Sequence, residues 1–124
     1  MKKISPINLN NKFSIFEETW TPKIIAELNN QYVKLCKLQD DFIWHSHENE
    51  DELFMVIKGT LFIDFKFQDT VEIKEGEIII IPKGVEHRPR TNGEIVFNLL
   101  FEPKTTLHTG NTKSKITVEN LKWI

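Results

Sequence analysis

The sequence is poor in cysteine, in long apolar runs and in net positive charge. Its 124 residues include a single cysteine, Cys36, which excludes an internal disulfide framework and is typical of a reducing compartment. No apolar run approaches the roughly 20 residues that a membrane-spanning helix needs. The formal net charge of -2 provides no basic surface that would attract nucleic acid. We therefore predict a cytoplasmic protein that binds neither nucleic acid nor a membrane.

The composition is that of one soluble globular domain. Apolar residues make up 40% of the chain and charged residues 27%, which are ordinary values for such a domain. A chain of 124 residues is also long enough to bury a hydrophobic core. The apolar residues that alternate with polar ones around Cys36 favour a buried thiol over a reactive one.

Histidine is scarce too, and three of the four histidines fall into one pattern with a glutamate. His45 and His47 are separated by one residue, Glu52 follows them closely, and His87 lies further along the chain. Neutral imidazole is the commonest protein ligand for divalent transition metals, and a carboxylate adds an anionic ligand. These four residues predict a site for one divalent transition metal ion, and the ligand set suits Fe, Mn, Ni, Zn and Cu alike.

Two alternative interpretations of this pattern stay open at this point. A pair of histidines one residue apart also occurs in solvated loops, and the acidic run at residues 48–52 is itself typical of a solvated loop. If the run supplies a ligand, Glu50 or Asp51 is an alternative to Glu52. We favour Glu52 because it begins an apolar run that predicts a strand.

That strand is expected to form one wall of a pocket. Side chains alternate between the two faces of a strand, so Phe54 and Val56 share the face of Glu52 and should line the pocket. The opposite face is apolar as well, and either an N-terminal arm or a second subunit must cover it. Because closed dimers are a common way to bury such a face, we expect a homodimer. The outward-facing residues are Leu53, Met55 and Ile57.

A second group of signals ends at His87. Residues 78–81 are four consecutive isoleucines, which favour a strand that is buried on both sides. Pro82 and Gly84 predict a sharp turn after it, because proline fixes its own φ and glycine tolerates a positive φ. His87 then opens the next strand, from which it can reach the same ion.

Eight residues in two groups carry a resemblance to a known family. They are His45, His47, Glu52 and Gly59 in the first group and Gly76, Pro82, Gly84 and His87 in the second. In this spacing they resemble the two motifs of the cupin superfamily, over residues 31–102. The chain departs from the family pattern at Gln39, where a glycine is often found, and at Thr91, where an asparagine is expected. The resemblance implies a small jelly-roll β-barrel with a metal ion in its mouth.

The remaining signals predict an all-β protein with one short N-terminal helix. Thr21 followed by Pro22 resembles a helix cap and predicts a helix over residues 22–28, after an extended arm at residues 1–20. From residue 31 onward, apolar and β-branched runs between turn residues predict eight strands. Their ranges are 32–38, 41–47, 53–58, 60–67, 70–74, 77–81, 86–89 and 95–101.

We divide the chain into three parts. Residues 1–30 are the N-terminal arm and short helix, which pack on the barrel. Residues 31–102 are the cupin-type barrel. Residues 103–124 carry spaced apolar side chains and should dock on the barrel or on the dimer partner. His108, in this last part, lies outside both motifs and is expected at the surface.

The resemblance implies a fold and a metal more firmly than it implies a reaction. Four protein ligands leave open positions on an octahedral ion, which suits an isomerase, an epimerase or a dioxygenase acting on a small oxygen-bearing molecule. The alternative is a non-catalytic cupin that binds a sugar-like molecule and keeps a structural metal. No general acid or base is identifiable. Asn98 interrupts an apolar run, and we place it in the pocket because a buried amide needs hydrogen-bond partners, such as a ligand.

Overall fold

The computed structural model describes residues 3–106, Gly110 and residues 120–124. Within these residues the chain forms one short helix and nine strands. In chain order they are α1 (Leu9–Phe13), β1 (Lys23–Leu28), β2 (Gln31–Leu38), β3 (Glu52–Lys58), β4 (Leu61–Phe65), β5 (Val71–Ile73), β6 (Ile78–Ile81), β7 (His87–Arg90), β8 (Val96–Pro103) and β9 (Lys122–Trp123).

The strands form two sheets. The larger has six strands in the order β6-β3-β8-β2-β1-β9, and the smaller has three in the order β5-β4-β7. Neighbouring strands run antiparallel except for β1 and β9, which are parallel. Among the described residues, the two sheets are consistent with a jelly roll but do not close into a barrel. The predicted all-β class with one short helix is confirmed.

Strict alternation of side chains defines the core between the sheets. Along β8, and along β3 as far as Ile57, every second residue is buried and the residues between are only partly covered. The inward set includes Phe54, Val56 and Leu100, which pack with Leu61 and Ile63 of the smaller sheet. This inner face of β3 also carries Glu52, so the strand that builds the core also positions a carboxylate at its end.

The N-terminal arm covers part of the outer face of the larger sheet. Phe13, at the end of α1, is 1% exposed, and its ring stacks on Phe97 of β8 with 4.4 Å between centroids. Lys37 extends from β2 to donate a hydrogen bond to the carbonyl oxygen of Phe16 at 2.6 Å. The arm therefore buries apolar side chains that the sheet alone would leave in water, Ile57 among them.

The helix lies earlier in the chain than predicted. Residues 22–28 were expected to be helical, but Lys23–Leu28 is a strand that pairs with β2. Its β-branched residues Ile24 and Ile25 are buried, which a strand in a two-layer sheet accomplishes better than an isolated short helix. The helix occurs inside the predicted arm, where the side chain of Asn8 accepts a hydrogen bond from the backbone N–H of Asn11 as an N-cap.

Two strand predictions are also wrong. Residues 41–47 form no strand and make only isolated bridges, at Asp41 and His45, to β7. The four isoleucines of β6 are not buried on both sides, because β6 is an edge strand and only one of its faces meets the core. Ile78 and Ile80 are 57% and 49% exposed, whereas Ile81 is buried.

The end of the chain pairs with the chain's own larger sheet. Lys122 and Trp123 lie beside Lys23 and Ile24, and the backbone N–H of Ile124 donates to the carbonyl oxygen of Ile24 at 3.0 Å. His108 lies outside the described residues, as do the other residues of 107–109 and 111–119.

No helix among the described residues is long and apolar enough to cross a membrane.

Candidate metal centre

The four residues predicted as metal ligands come together in one buried cluster. His45, His47, Glu52 and His87 each offer one ligand atom, and these atoms all lie within 4.8 Å of one another. All four side chains are at most 3% exposed. Neither Glu50 nor Asp51 belongs to the cluster, so the geometry favours Glu52 among the three acidic residues considered.

Backbone pairing brings the histidines together. The N–H of His45 donates to the carbonyl oxygen of His87 at 3.0 Å, and the N–H of His87 donates back to the carbonyl oxygen of His45 at 2.9 Å. This isolated antiparallel bridge places the two imidazoles side by side, with ring centroids 4.4 Å apart. The turn that precedes β7 makes a further link, since the N–H of Gly84 donates to the carbonyl oxygen of His47 at 2.7 Å.

Carbonyl oxygens fix the orientation of two of the imidazoles. Nδ1 of His45 lies 2.9 Å from the carbonyl oxygen of Ile43, and Nδ1 of His87 lies 2.9 Å from that of Val85. A carbonyl only accepts, so each Nδ1 carries a hydrogen, and Nε2 is the ring nitrogen that faces the cluster. Nε2 of His45 has no hydrogen-bond partner among the described residues. This is the arrangement of metal-binding histidines, in which the second ring nitrogen is tied to an acceptor.

The Glu52 carboxylate sits among these rings. Its Oε1 atom lies 3.2 Å from Nε2 of His87 and 3.3 Å from Nε2 of His47. Burial alone would raise the pKa of Glu52, but the two histidines outweigh it and lower the pKa well below its usual range. The carboxylate is therefore ionised at neutral pH, as a metal ligand must be.

The histidine pKa values diverge because their surroundings differ. Burial lowers the pKa of His45 to about 4, with a further contribution from the neighbouring His87. Burial also acts to lower the pKa of His47, but the Glu52 carboxylate outweighs it and raises the pKa. His45 is therefore neutral at physiological pH, which is the state that binds a metal ion.

A cavity opens next to the cluster on the inner face of the larger sheet. Its walls include His45, Glu52, Phe54 and Asn98, and it encloses about 320 Å³ including its open mouth. Phe54 and Asn98 therefore lie where the sequence analysis placed them. Val56 does not line the cavity: it is fully buried in the core, because it follows Phe54 by two positions and lies one step deeper along β3.

The aromatic wall of the cavity comes from outside the predicted barrel strands. Trp20 stacks on Phe42 with 4.5 Å between ring centroids, and both line the cavity. The indole N–H of Trp20 donates to the carbonyl oxygen of Gln39 at 2.8 Å, which fixes the ring. Sequence reasoning missed Trp20 because its segment was assigned to an extended arm.

A buried ion pair beside the centre was also missed. Lys34 donates to Glu102 at 2.9 Å, and neither side chain is more than 1% exposed. Leu53 pairs with Phe101, so the antiparallel register places Glu102 beside Glu52. Burial and the charge of Glu52 raise the pKa of Glu102 to about 7. Glu102 continues the alternation of buried residues along β8, but the predicted strand stopped one residue short of it.

The two arginines of β7, the strand that begins at His87, bind an acidic residue of the smaller sheet. Arg88 and Arg90 both donate to the carboxylate of Asp64, at 2.8 and 2.9 Å respectively. These bonds join β7 to β4 on the smaller sheet and leave neither guanidinium in the cavity wall.

Gly110 approaches the metal-ligand segment so closely that a side chain would not fit there. A Cβ atom on Gly110 would overlap the carbonyl oxygen of Ser46 and lie 3.3 Å from Cδ2 of His45. We predict that Gly110→Ala displaces the backbone between His45 and His47 and lowers zinc affinity at least tenfold, measured by competition with a fluorescent chelator.

Gly93→Ala is the matched control for this substitution. Gly93 also has a positive φ, of 91°, but a Cβ atom there would meet nothing within 4 Å. Both variants carry the backbone strain of an alanine at positive φ, and only Gly110→Ala adds the overlap. Equal zinc affinities in the two variants would show that contact with Ser46 does not hold the histidines in place.

Comparisons with known proteins agree with this geometry. The family model for the cupin domain matches residues 34–101. The chain is 41% identical over 80 residues to the uncharacterized protein YdbB of Bacillus subtilis (strain 168), which covers 64% of this chain and 70% of that protein. It is also 36% identical over 45 residues to a Caenorhabditis elegans protein named "probable inactive acireductone dioxygenase 1", covering 33% of this chain and 28% of that one.

A solved structure extends the comparison to the whole fold. The crystal structure of a cupin-2 domain containing protein from Shewanella frigidimarina matches with a TM-score of 0.76 and 44% identity, over 79% of this chain and 94% of that one. The resemblance found in the two motifs is therefore confirmed across the described fold, and the chain belongs to the cupin domain family.

Proposed function

We propose that this protein is a metal-dependent enzyme that acts on a small oxygen-bearing molecule, as an isomerase, an epimerase or a dioxygenase. His45, His47, Glu52 and His87 hold one divalent transition metal ion. The observation that carries the proposal is that these four ligand atoms lie within 4.8 Å of one another, are buried, and border a cavity. When bound there, the ion would supply Lewis-acid polarisation or oxygen activation.

The chain's own residues prepare the site for such a reaction. The carbonyl oxygens of Ile43 and Val85 hold two imidazoles in a fixed orientation, so little rearrangement is needed when a ligand arrives. The stacked rings of Trp20 and Phe42 form an apolar wall that excludes water from the bound molecule. The cavity thus combines a polar end with an apolar body, which is typical of small-molecule sites.

The second candidate function is binding of a small molecule without turnover. One observation favours it: among the described side chains that line the cavity, the only titratable ones are His45, Glu52 and Cys36. The first two are proposed ligands, and burial raises the pKa of Cys36 to about 12, so its thiol is a poor acid or base at neutral pH. The Caenorhabditis elegans relative favours neither function, because its name gives a dioxygenase activity and also calls the protein inactive.

The metal assignment predicts the metal content of protein purified without a histidine tag. We expect about one equivalent of Fe, Mn, Ni, Zn or Cu by mass spectrometry of the elements, and its loss in Glu52→Gln, which removes the anionic ligand. Glu50→Gln is the matched control, because Glu50 belongs to the same acidic run but lies outside the cluster. Metal-free wild-type protein that also fails to take up any of these ions would sink the assignment.

A turnover assay distinguishes the enzyme function from the binding function. We expect metal-loaded wild type to convert a member of a panel of small hydroxy-carbonyl compounds, followed by oxygen uptake and by NMR of the products. His87→Ala should abolish this turnover while the protein stays folded, with a lower thermal midpoint because the buried Glu52 carboxylate loses a partner. A wild-type protein that binds a compound of the panel but never converts it, and a His87→Ala variant that loses only stability, would favour the binding function.

We further propose that two copies of the chain pair through the outer face of β6 and β3. Ile78 and Ile80 are half exposed on edge strand β6, and the sheet register places them beside Met55 and Leu53. The N-terminal arm covers the part of this outer face around Phe97 but leaves these isoleucines open. An apolar strip on an edge strand is a surface that a second copy can bury.

The pairing proposal predicts a dimer in solution. Size-exclusion chromatography with light scattering should give twice the chain mass for wild type, and a shift toward the chain mass for Ile80→Lys, which places a charge in the apolar strip. Ile4→Lys is the control, because Ile4 is 95% exposed and lies in the N-terminal arm. A monomeric wild type at micromolar concentration would contradict the proposal.

A further inference from the structure

The cavity beside the proposed metal ligands has one polar side chain that the metal does not explain. Asn98 lies on the inner face of β8, is 0% exposed and lines the cavity. Neither its Oδ1 atom nor its Nδ2 atom has a hydrogen-bond partner among the described residues. Buried amides are nearly always paired, so this one needs a partner that enters from the cavity.

The residues beside Asn98 on the neighbouring strands form no hydrogen bond with its amide. Its register partners are Cys36 on β2 and Val56 on β3. Val56 is apolar, and the Cys36 thiol is directed to the carbonyl oxygen of Lys37 at 3.7 Å. An apolar side chain of the same size would fill this position without leaving unpaired polar atoms. We therefore infer that the amide group of Asn98 has a role other than filling space in the core.

The rest of the wall limits what the partner can be. Among the described residues, no lysine or arginine lines the cavity, so a phosphate or a second ionised group would find no counter-charge there. The wall is otherwise mostly apolar and aromatic, with Trp20, Phe42 and Phe54 as its largest members. A polyol sugar would leave most of its hydroxyl groups without partners, which is a severe penalty for a buried ligand.

The amide itself specifies a pattern of donor and acceptor. Nδ2 donates and Oδ1 accepts, so Asn98 pairs with an acceptor and a donor that lie side by side on the ligand. A carbonyl and a hydroxyl on neighbouring carbon atoms present this pair on one edge. Each ligand oxygen keeps a second lone pair, which could bind the metal ion that His45 and Glu52 would help to hold at the other side of the cavity.

We propose that the cavity binds a small, largely apolar molecule that carries adjacent carbonyl and hydroxyl oxygens, and that Asn98 recognises this edge through its amide. The assignment rests on the proposed function for the metal-facing end of the ligand, but the contact with Asn98 does not require the ion. The wall, which is mostly apolar apart from Asn98, His45 and Glu52, matches the largely apolar body of such a ligand. Asn98 is thus a specificity-determining residue, and a sugar is not the ligand.

The test uses tropolone, a single apolar ring with adjacent carbonyl and hydroxyl oxygens, and tropone, the same ring without the hydroxyl. Calorimetric titration of the wild type is done twice, with zinc and without metal, at about pH 5.5, where tropolone is neutral and its hydroxyl can still donate to Asn98. We expect tropolone to bind both forms, and tropone to bind the metal-free form at least tenfold more weakly. Asn98→Leu should weaken tropolone binding to the metal-free form at least tenfold, with zinc affinity and thermal midpoint unchanged or higher.

Controls make each outcome decisive. Asn10→Leu removes an exposed asparagine from α1 and should change neither titration. Equal tropolone affinity in wild type and Asn98→Leu, or tighter binding of ribose than of tropolone, would overturn the proposal. If Asn98→Leu does not fold, equal affinities of tropolone and tropone for metal-free wild type overturn it instead. Failure of wild type to bind zinc, with the tropolone results intact, would remove the metal centre and leave the role of Asn98 standing.

Discussion

The structure depends on burying the Glu52 carboxylate among three imidazoles. A buried carboxylate without partners is strongly unfavourable, so its position at 3% exposure requires His47 and His87 within 3.3 Å. A backbone bridge holds His87 beside the third ring, His45, and the carbonyl oxygens of Val85 and Ile43 fix the orientation of these two rings. A site of this kind is assembled only when the whole fold is formed, since its ligands come from three separate segments of the chain.

The two sheets give this cluster its position and its access. Strand β3 delivers Glu52 at the end of an inner face whose next inward residue is Phe54, and β8 delivers Asn98 from the neighbouring strand. Because buried and partly covered residues alternate along β3 and β8, the inward positions of these two strands line a continuous surface from the core to the cavity. A second buried carboxylate, that of Glu102, lies next to Glu52. Lys34 forms an ion pair with it and balances its charge.

The site was more predictable from the sequence than the details of the fold. Few requirements other than a shared site would give His45, His47, Glu52 and His87 this spacing. The structure brings the four residues together. The helix at residues 22–28 was wrong because a Thr-Pro pair resembles a cap, whereas burial of Ile24 and Ile25 against the sheet decides the conformation. The exposure of β6 could not be predicted, because four isoleucines do not reveal that their strand lies at an edge.

Long-range pairing explains what sequence reasoning missed. Lys34 and Glu102 are 68 positions apart, so no local sequence pattern indicates that they form a pair. Trp20 reaches the cavity only because its segment bridges to Lys37 at residue Thr19. Val56 was placed in the pocket because it shares a face with Phe54, but a shared face does not specify depth along a strand.

X-ray absorption spectroscopy of the metal-loaded protein tests the central claim most directly, because it counts imidazoles and identifies sulfur around the ion. The account predicts three imidazoles and oxygen ligands, with no sulfur, since the cluster holds His45, His47, His87 and Glu52, while Cys36 lies in the cavity wall outside it. A sulfur ligand, or fewer than three imidazoles, would contradict it.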